Sequence, residues 1–363
     1  MNKVVALTGG GTAGHIWPAI EVGKTLKKEK SDLEIIYLGM NNSREEVLAN
    51  EAGFKFFPIK AGKWRRYFSL ANILTPFYIW RGFRQAKKIL QEKDVKVLFA
   101  KGGYVSFPVV LAAHRLQIPV IGHESDSIVG KANLTLIKRM WALAVAFPRS
   151  LYPKKLKEKL VYTGIPLRDD FFKETKDWPK DLKLKDDLPV LVITGGSTGA
   201  EYLNQFIFKN LKNLLTICQI IHLTGEQGIR EAKKIKAELH LRNYYPIDFS
   251  HQIPAILNRA DLVLSRAGAG TLFELACLSK GTILIPYPYA AQNHQEKNAY
   301  FAKRLGGAMV FRQKGLDEGK LLVTINHLLK NPQLAEDMGR KLHGLYVPDA
   351  SQRIAEMILE NLE

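Results

Sequence analysis

Short runs of β-branched and aliphatic residues alternate along this chain with longer segments in which apolar positions recur every three or four residues. That alternation predicts parallel sheets covered by helices, an α/β protein rather than a bundle or a sandwich. In the first half the strand pattern falls at residues 4–7, 34–38, 55–59, 95–100, 119–122 and 143–147. In the second half it falls at 190–194, 217–222, 261–265, 282–286 and 308–311. Helices fill the intervals. Ser43, followed three residues later by Glu46 and then by Val47 and Leu48, has the form of a capping box.

One internal echo organises the chain. Val4-Val5-Ala6-Leu7-Thr8-Gly9-Gly10 is answered by Val190-Leu191-Val192-Ile193-Thr194-Gly195-Gly196, about half the chain later. The echo predicts two Rossmann-like domains, residues 1–166 and 167–348, around a charged, aliphatic-poor linker at 169–188. A helical pattern with apolar Ile354, Met357 and Ile358 closes the chain at 349–363, and the sequence leaves open which domain it joins.

Four glycine-rich loops follow strands: Gly9 to His15, Lys101 to Ser106, Gly195 to Ala200, and Arg266 to Thr271. Glycine lets a backbone approach a ligand closely, and the free N–H groups of a helix start favour an anion. The first loop leads into a helix expected from about Ile16, with Pro18 in its first turn. Gly9, Gly11 and Gly14 satisfy the dinucleotide-binding spacing, but the acid that should end the second strand is missing and Gly39-Met40-Asn41-Asn42 stands there. No Gly-Lys-Ser/Thr ending supports a P-loop. Each loop alone reads equally well as a tight strand-to-helix turn. Two per domain, all at C-terminal strand ends, predict two domains whose parallel sheets face across a ligand-binding cleft.

Composition narrows the class. The chain has 363 residues, 46% hydrophobic, and two cysteines, Cys218 and Cys277, which rules out a disulfide framework and a four-cysteine zinc site. No segment approaches the ~18 consecutive apolar residues of a membrane span, so a cytoplasmic protein is expected. The 53 Lys and Arg against 35 Asp and Glu give a net charge of +18, which calls for an anionic partner: nucleic acid, anionic lipid or a phosphorylated substrate. Lys63, Trp64, Arg65 and Arg66 lead into an apolar stretch containing Trp80, and residues 63–88 hold seven basic residues and no acidic one. That mixture suits an anionic bilayer surface, and the plainer alternative is an amphipathic helix covering the sheet. No RNA-recognition or helix-turn-helix signature supports nucleic acid.

Taken in order, Gly9 to His15, Lys101 to Ser106, His123-Glu124, Gly195 to Ala200, Arg266 to Thr271 with Glu274, and His294-Gln295 with Asn298-Ala299 resemble the MurG family of bacterial peptidoglycan N-acetylglucosaminyltransferases, collinearly over nearly the whole chain. The resemblance implies the GT-B fold and inverting transfer of N-acetylglucosamine from UDP-GlcNAc to the muramic acid C4 hydroxyl of undecaprenyl-pyrophosphoryl-MurNAc-pentapeptide (lipid I), giving lipid II. It implies a role in cell-wall synthesis, cell shape and division, at the cytoplasmic face of the membrane as a peripheral enzyme.

The same resemblance implies the site. Glu274 matches the acid that accepts from the ribose hydroxyls, and Ala269, Gly270, Thr271, Leu272 and Phe273 run beside the pyrophosphate and ribose. Ser197 matches a phosphate-contacting hydroxyl, Arg168 an arginine reaching the nucleotide, Gln295 a reader of the sugar hydroxyls, and Ser250 a position near uracil. Thr12, Ala13 and Gly14 match the loop at the donor sugar and diphosphate, and Tyr104 belongs with the basic stretch on the acceptor side. His15 is the candidate base, with Glu124 its competitor. Many relatives read His-Glu-Gln-Asn where this chain has His123-Glu124-Ser125-Asp126, which puts a sugar contact at Asp126 in doubt, because an ionised carboxylate only accepts hydrogen bonds. The chain lacks an Asp-x-Asp pair, so neither metal nor cofactor is expected. The rivals are a UDP-GlcNAc 2-epimerase or a transferase with another acceptor, a nicotinamide dehydrogenase, and a non-catalytic sugar-nucleotide-binding module.

Overall fold

A computed structural model divides the chain into two compact units, Met1–Arg168 with Val347–Glu363, and Asp169–Tyr346. It describes all residues except 1–2, 12, 63–70, 174–178, 180–181, 197–198 and 363, and of Ala13 and Ala71 only the backbone.

In the first unit seven parallel strands, β1 (Val4–Thr8), β2 (Glu34–Gly39), β3 (Lys55–Pro58), β4 (Val95–Ala100), β5 (Val120–Glu124), β6 (Ala142–Val145) and β7 (Leu160–Tyr162), lie in the order β3-β2-β1-β4-β5-β6-β7. Helices α1 (Ala13–Glu29), α2 (Arg44–Glu51), α3 (Ala71–Glu92), α4 (Ser106–Arg115) and α5 (Lys131–Leu136) supply crossovers. In the second unit β8 (Val190–Thr194), β9 (Gln219–Leu223), β10 (Tyr244–Ile247), β11 (Leu262–Ser265), β12 (Thr282–Leu284) and β13 (Met309–Val310) lie parallel in the order β10-β9-β8-β11-β12-β13. Its helices are α6 (Glu201–Leu214), α7 (Ile229–Glu238), α8 (Ile253–Arg259), α9 (Ala269–Cys277), α10 (His294–Arg304), α11 (Glu318–Lys330) and α12 (Pro332–His343). The two orders share one rule: the first strand of each sheet is central, and the chain winds away from it in one direction and then the other. The gaps β1/β4 and β8/β11 are therefore switch points.

Central strands such as β1, β8 and β9 are buried at every position, as parallel strands covered on both faces must be. The last helix, α13 (Ala350–Glu360), joins the first unit. Its Ile354, Met357 and Ile358 share a core with Ile16 and Ile20 of α1, and the Lys3 ammonium donates to the Leu362 carbonyl. Burial of three such side chains contributes roughly 1.5–3 kcal/mol each, enough to hold a short helix that propensity alone would not.

Three sequence expectations need correction. Helix α1 begins at Ala13, three residues before the expected start, close behind the left-handed turn at Gly11 (φ +91°). Pro18 therefore sits in the second turn, where it removes only the bond that its N–H would have made to Gly14. Strands β7 and β10 escaped the pattern: β7 is three residues long, and Pro246 interrupts β10, which its edge position tolerates. Ser43 does cap α2, accepting from Glu46 N at 3.4 Å, but the Glu46 carboxylate reaches back to Asn42 N at 2.7 Å rather than to Ser43 N.

His222 of β9 shows what the second core demands of a polar group. Asn204 of α6 donates to the Thr224 carbonyl (2.9 Å), so its Oδ1 faces His222 Nε2 (3.0 Å) as acceptor and fixes the proton there. His222 Nδ1 then accepts from the Tyr244 hydroxyl at 2.9 Å. Burial holds the ring neutral, with its pKa lowered to about 3. Above the unfolded value of ~6.5 both states are neutral and the term is constant, whereas between ~6.5 and 3 only the unfolded chain is protonated, so stability falls as pH falls. Unfolding at pH 5 is expected to take up about one proton fewer in His222→Gln than in the wild type, measured calorimetrically in buffers of differing ionisation enthalpy. Equal uptake would mean that His222 titrates freely in the native state.

Candidate functional site

The loops at the first switch point interlock through glycine. At Gly103 (φ +81°) an added Cβ would lie 2.8 Å from the Gly10 carbonyl and 3.8 Å from His15 Cγ. At Gly11 it would lie 2.9 Å from the Tyr104 ring, so no side chain fits between the loops after β1 and β4. Beneath them the buried Tyr37 hydroxyl donates to the Gly9 carbonyl (2.5 Å), and Lys101 N donates to the Thr8 carbonyl (2.8 Å). Tyr104 itself donates to Met40 Sδ (3.2 Å) at the end of β2. A Cβ at Gly14, by contrast, would meet nothing within 4 Å. Its open surroundings leave the start of α1 accessible.

His15 is half-buried in the first turn of α1. Across the gap, β5 ends in His123 and Glu124. His123 is fully buried with Nε2 3.0 Å from the Gly164 carbonyl; burial lowers its pKa, and the charges of Lys101 and His15 lower it further. Glu124 organises the loop into α5: Oε2 accepts from Gly130 N (2.7 Å) and Asn133 Nδ2 (2.9 Å), and Oε1 accepts from Asp126 N (3.2 Å). Burial and the Asp126 charge raise the Glu124 pKa, against these donors and Lys101. Asp126 is half-buried, and its carbonyl accepts from the Tyr152 hydroxyl at 2.8 Å. Arg168 stacks its guanidinium on Trp17 of α1, 5.1 Å from the ring centroid, which ties it to the helix that carries His15.

The second switch point repeats the plan with different supports. Gly268 and Gly270, at the start of α9, would meet nothing within 4 Å if given a Cβ. Arg266 below them is buried, donates to the Ile285 carbonyl at 2.9 Å and lies over the Tyr287 ring. Asn298 of α10 donates to the Ala267 carbonyl at 3.2 Å, anchoring the loop from the other side. Ala269, Leu272 and Phe273 are buried, while Gly270, Thr271 and Glu274 are half-buried. Glu274 lies in the second turn of α9, so a first-turn dipole partner does not account for it. Gln295 Oε1 accepts from Tyr287 N (2.9 Å), and Ser250 Oγ accepts from Gln252 N (3.0 Å) just before α8. Gly199 (φ +74°) packs against the Thr224 carbonyl, 2.5 Å from where its Cβ would stand, bringing the loop after β9 beside the loop after β8.

Helix α3 inverts the usual amphipathic arrangement. Its buried positions are Thr75, Gly82, Ala86 and Leu90, whereas Ile73, Leu74, Phe77, Tyr78 and Trp80 are exposed, Ile73 at 73%. Arg84 lies over the Trp80 ring, 5.0 Å from its centroid.

Of the residues singled out in the sequence, Ala13, Gly14, His15, Tyr104, Glu124, Asp126 and Arg168 fall in the first unit, Trp80 lies on α3 of that unit, and the remaining described residues fall in the second unit. Thr12, Lys63, Trp64, Arg65, Arg66 and Ser197 lie outside the described residues. In the sequence Lys101 is no more than the first residue of a glycine loop, and Asn133 and the Thr224 to Gly228 loop go unmarked. Thr-Gly directly after β9 and Asn133 nine residues beyond Glu124 were available signals, but neither announces a contact until the loops are folded.

Residues 5–145 match the glycosyltransferase family 28 N-terminal domain, and residues 190–354 the corresponding C-terminal domain. The chain is 37% identical over 335 residues to the UDP-N-acetylglucosamine–N-acetylmuramyl-(pentapeptide) pyrophosphoryl-undecaprenol N-acetylglucosamine transferase of Clostridium botulinum (strain Langeland), covering 91% of this chain and 92% of that protein. The transferase of the same name from Clostridium perfringens (strain SM101) is 38% identical over 331 residues, 90% of each chain. Among solved structures, Acinetobacter baumannii MurG superposes with a TM-score of 0.77 at 25% identity, over 99% of this chain and 100% of that one.

The two kinds of glycine separate in their expected response to substitution. Gly103→Ala combines a left-handed φ with a backbone clash and is expected to cost at least about 1–2 kcal/mol. Gly270→Ala, in a helix with open space, should leave stability unchanged or raise it by up to ~1 kcal/mol. Urea denaturation of both variants checks this, and equal destabilisation would contradict the geometry.

Proposed function

This chain belongs to glycosyltransferase family 28, among the peptidoglycan N-acetylglucosaminyltransferases, and on that premise we propose that it moves N-acetylglucosamine from UDP-GlcNAc to the muramic acid C4 hydroxyl of lipid I, forming lipid II. The observation that carries this reading is collinear likeness across both units, joined to an open glycine-lined helix start at each switch point. Two Rossmann-like units with parallel sheets are the fold class of GT-B enzymes.

In this reading the second unit takes the donor. Glu274 accepts from the ribose hydroxyls, the backbone of residues 269–273 and Ser197 meet the diphosphate, Gln295 reads the sugar through its amide nitrogen, and Ser250 lies towards uracil. The first unit takes the acceptor. His15 removes the proton from the C4 hydroxyl as that oxygen bonds to the sugar C1, and the bond from C1 to the phosphate oxygen breaks to release UDP. Helix dipoles and the Arg168 cation offset charge on the departing diphosphate, with Thr12, Ala13 and Gly14 lining it. His15 is preferred to Glu124 as base because Glu124 already accepts from three N–H donors, which hold it in place.

UDP release from UDP-GlcNAc in EDTA, with and without a lipid I analogue, tests the reading. Release is expected only with acceptor, and His15→Ala is expected to lower kcat by roughly 100-fold or more at saturating substrates. Release without acceptor would favour an epimerase or hydrolase, and restoration only by Mg²⁺ would overturn metal independence.

The exposed aromatic face of α3 and its basic neighbours Arg81, Arg84, Lys87 and Lys88 suit docking at the anionic cytoplasmic face of the membrane as a peripheral protein. Among the described residues no helix is long and apolar enough to cross a membrane. Binding to vesicles containing phosphatidylglycerol is expected to weaken about tenfold in Phe77→Ser/Trp80→Ser and to fall with added salt. Unaltered sedimentation of that variant with vesicles would dismiss α3 as the docking element.

A further inference from the structure

Lys101 stands where β4 enters the second glycine loop, and it is 1% exposed. Its ammonium donates to Ser125 Oγ at 2.6 Å. Ser125 is flanked in the chain by Glu124 and Asp126, and those two carboxylates are the charges that favour the ammonium form against burial. A buried ammonium costs several kcal/mol unless paired, so packing alone would be served better by an aliphatic residue. Glu124 is already committed to the N–H groups of Gly130, Asn133 and Asp126. The additional negative charge in this cluster is Asp126. A carboxylate there brings one negative charge to loops that receive a sugar diphosphate.

We propose that Lys101 is a positioning residue coupled to Asp126: its buried ammonium, anchored on Ser125, offsets the charge of Asp126 and holds the Ser125–Asp126 turn, so that the first unit accepts a diphosphate substrate well only while a carboxylate at 126 is matched by the ammonium at 101. The proposal rests on the reading of these loops as the substrate-facing side of a sugar transferase. Lys101 acts through Ser125 and Asp126, while His15 remains the group that meets the acceptor hydroxyl. Burial is the principal force lowering the Lys101 pKa, to about 8; the carboxylates of Glu124 and Asp126 act against it, and Lys101 in turn helps to lower the pKa of His123 of β5, which also feels His15 of α1. Deprotonation of Lys101 would remove one positive charge from beside Asp126 and weaken capture of an anionic substrate at alkaline pH.

Steady-state kinetics with UDP-GlcNAc and a lipid I analogue test the coupling in the full-length wild type, Lys101→Met, Asp126→Asn and the double variant. Lys101→Met is expected to lower kcat/KM about 30-fold or more, Asp126→Asn to change it less than about threefold, and the double variant to return within about fivefold of wild type. The wild-type kcat/KM should decline above pH ~8, and this alkaline limb should be missing in the double variant. A double variant as impaired as Lys101→Met, or one that keeps the alkaline limb, overturns the proposal. If circular dichroism shows that Lys101→Met does not fold, Ser125→Ala replaces it: a rise in KM of about three- to tenfold with kcat nearly constant supports the anchoring, and unchanged kinetics refute it. Absence of transfer in the wild type would instead defeat the functional reading itself.

Discussion

Each sheet starts at its centre and must be wound outward in two directions, and this constraint decides where ligands, glycines and buried polar groups can go. At β1/β4 and β8/β11 the neighbouring crossovers depart in opposite directions, which leaves a notch at the C-terminal ends of the strands. Helix starts open onto each notch with N–H groups that have no intrahelical partner. An anion can satisfy them. The glycines arise from the same requirement, since loops that approach one another this closely leave no room for side chains at Gly11, Gly103 and Gly199.

Loops of this kind have little apolar material of their own, so they depend on polar groups buried below them. In the first unit these are Tyr37 under Gly9, Lys101 on Ser125, and Glu124 with Asn133. In the second they are Arg266, Asn298 and the chain from Tyr244 through His222 and Asn204 to Thr224. Unsatisfied, each would cost roughly 1–3 kcal/mol; connected, they hold the loop backbone in one arrangement. The two units reach similar loop shapes with unrelated supports, and the first uses a carboxylate-rich cluster that needs an internal cation.

Much of the architecture was legible in the chain because fully buried parallel strands write themselves as β-branched runs followed by glycine, as Val190 to Gly196 does. Candidate site residues could be named from the chain, His15 and Glu124 in the first unit and Glu274 in the second, because their residue types carry chemistry at fixed offsets from those glycines; that Glu124 is buried and the other two half-buried could not be read there. What stayed hidden depends on contacts between distant segments. Lys101 reads as no more than the first residue of a glycine loop until Ser125 is brought beside it, and Asn133 has no meaning before Glu124 turns toward it. Short edge strands were lost for the opposite reason: β7 and β10 are too short or too interrupted to show a period, and they form because a neighbouring strand is already in place.

Helix α3 joins the surface to the loops. Small residues, Gly82 and Ala86, stand on its buried face because it must lie close to its neighbours there: a Cβ at Gly82 would collide with the Lys60 carbonyl and stand 3.3 Å from Pro108 of α4. Helix α4 begins at Ser106, directly after the second glycine loop, and Ser106 Oγ donates back to the Gly102 carbonyl at 2.8 Å. The apolar residues displaced from that tight contact have only the outer face to occupy, so close packing inside the unit and an aromatic, basic surface outside it are two results of one sequence choice. A surface tied this firmly to the loop that carries Lys101 and Tyr104 keeps a fixed orientation to it, which is what an enzyme needs if its acceptor is held in a bilayer and its chemistry takes place above it.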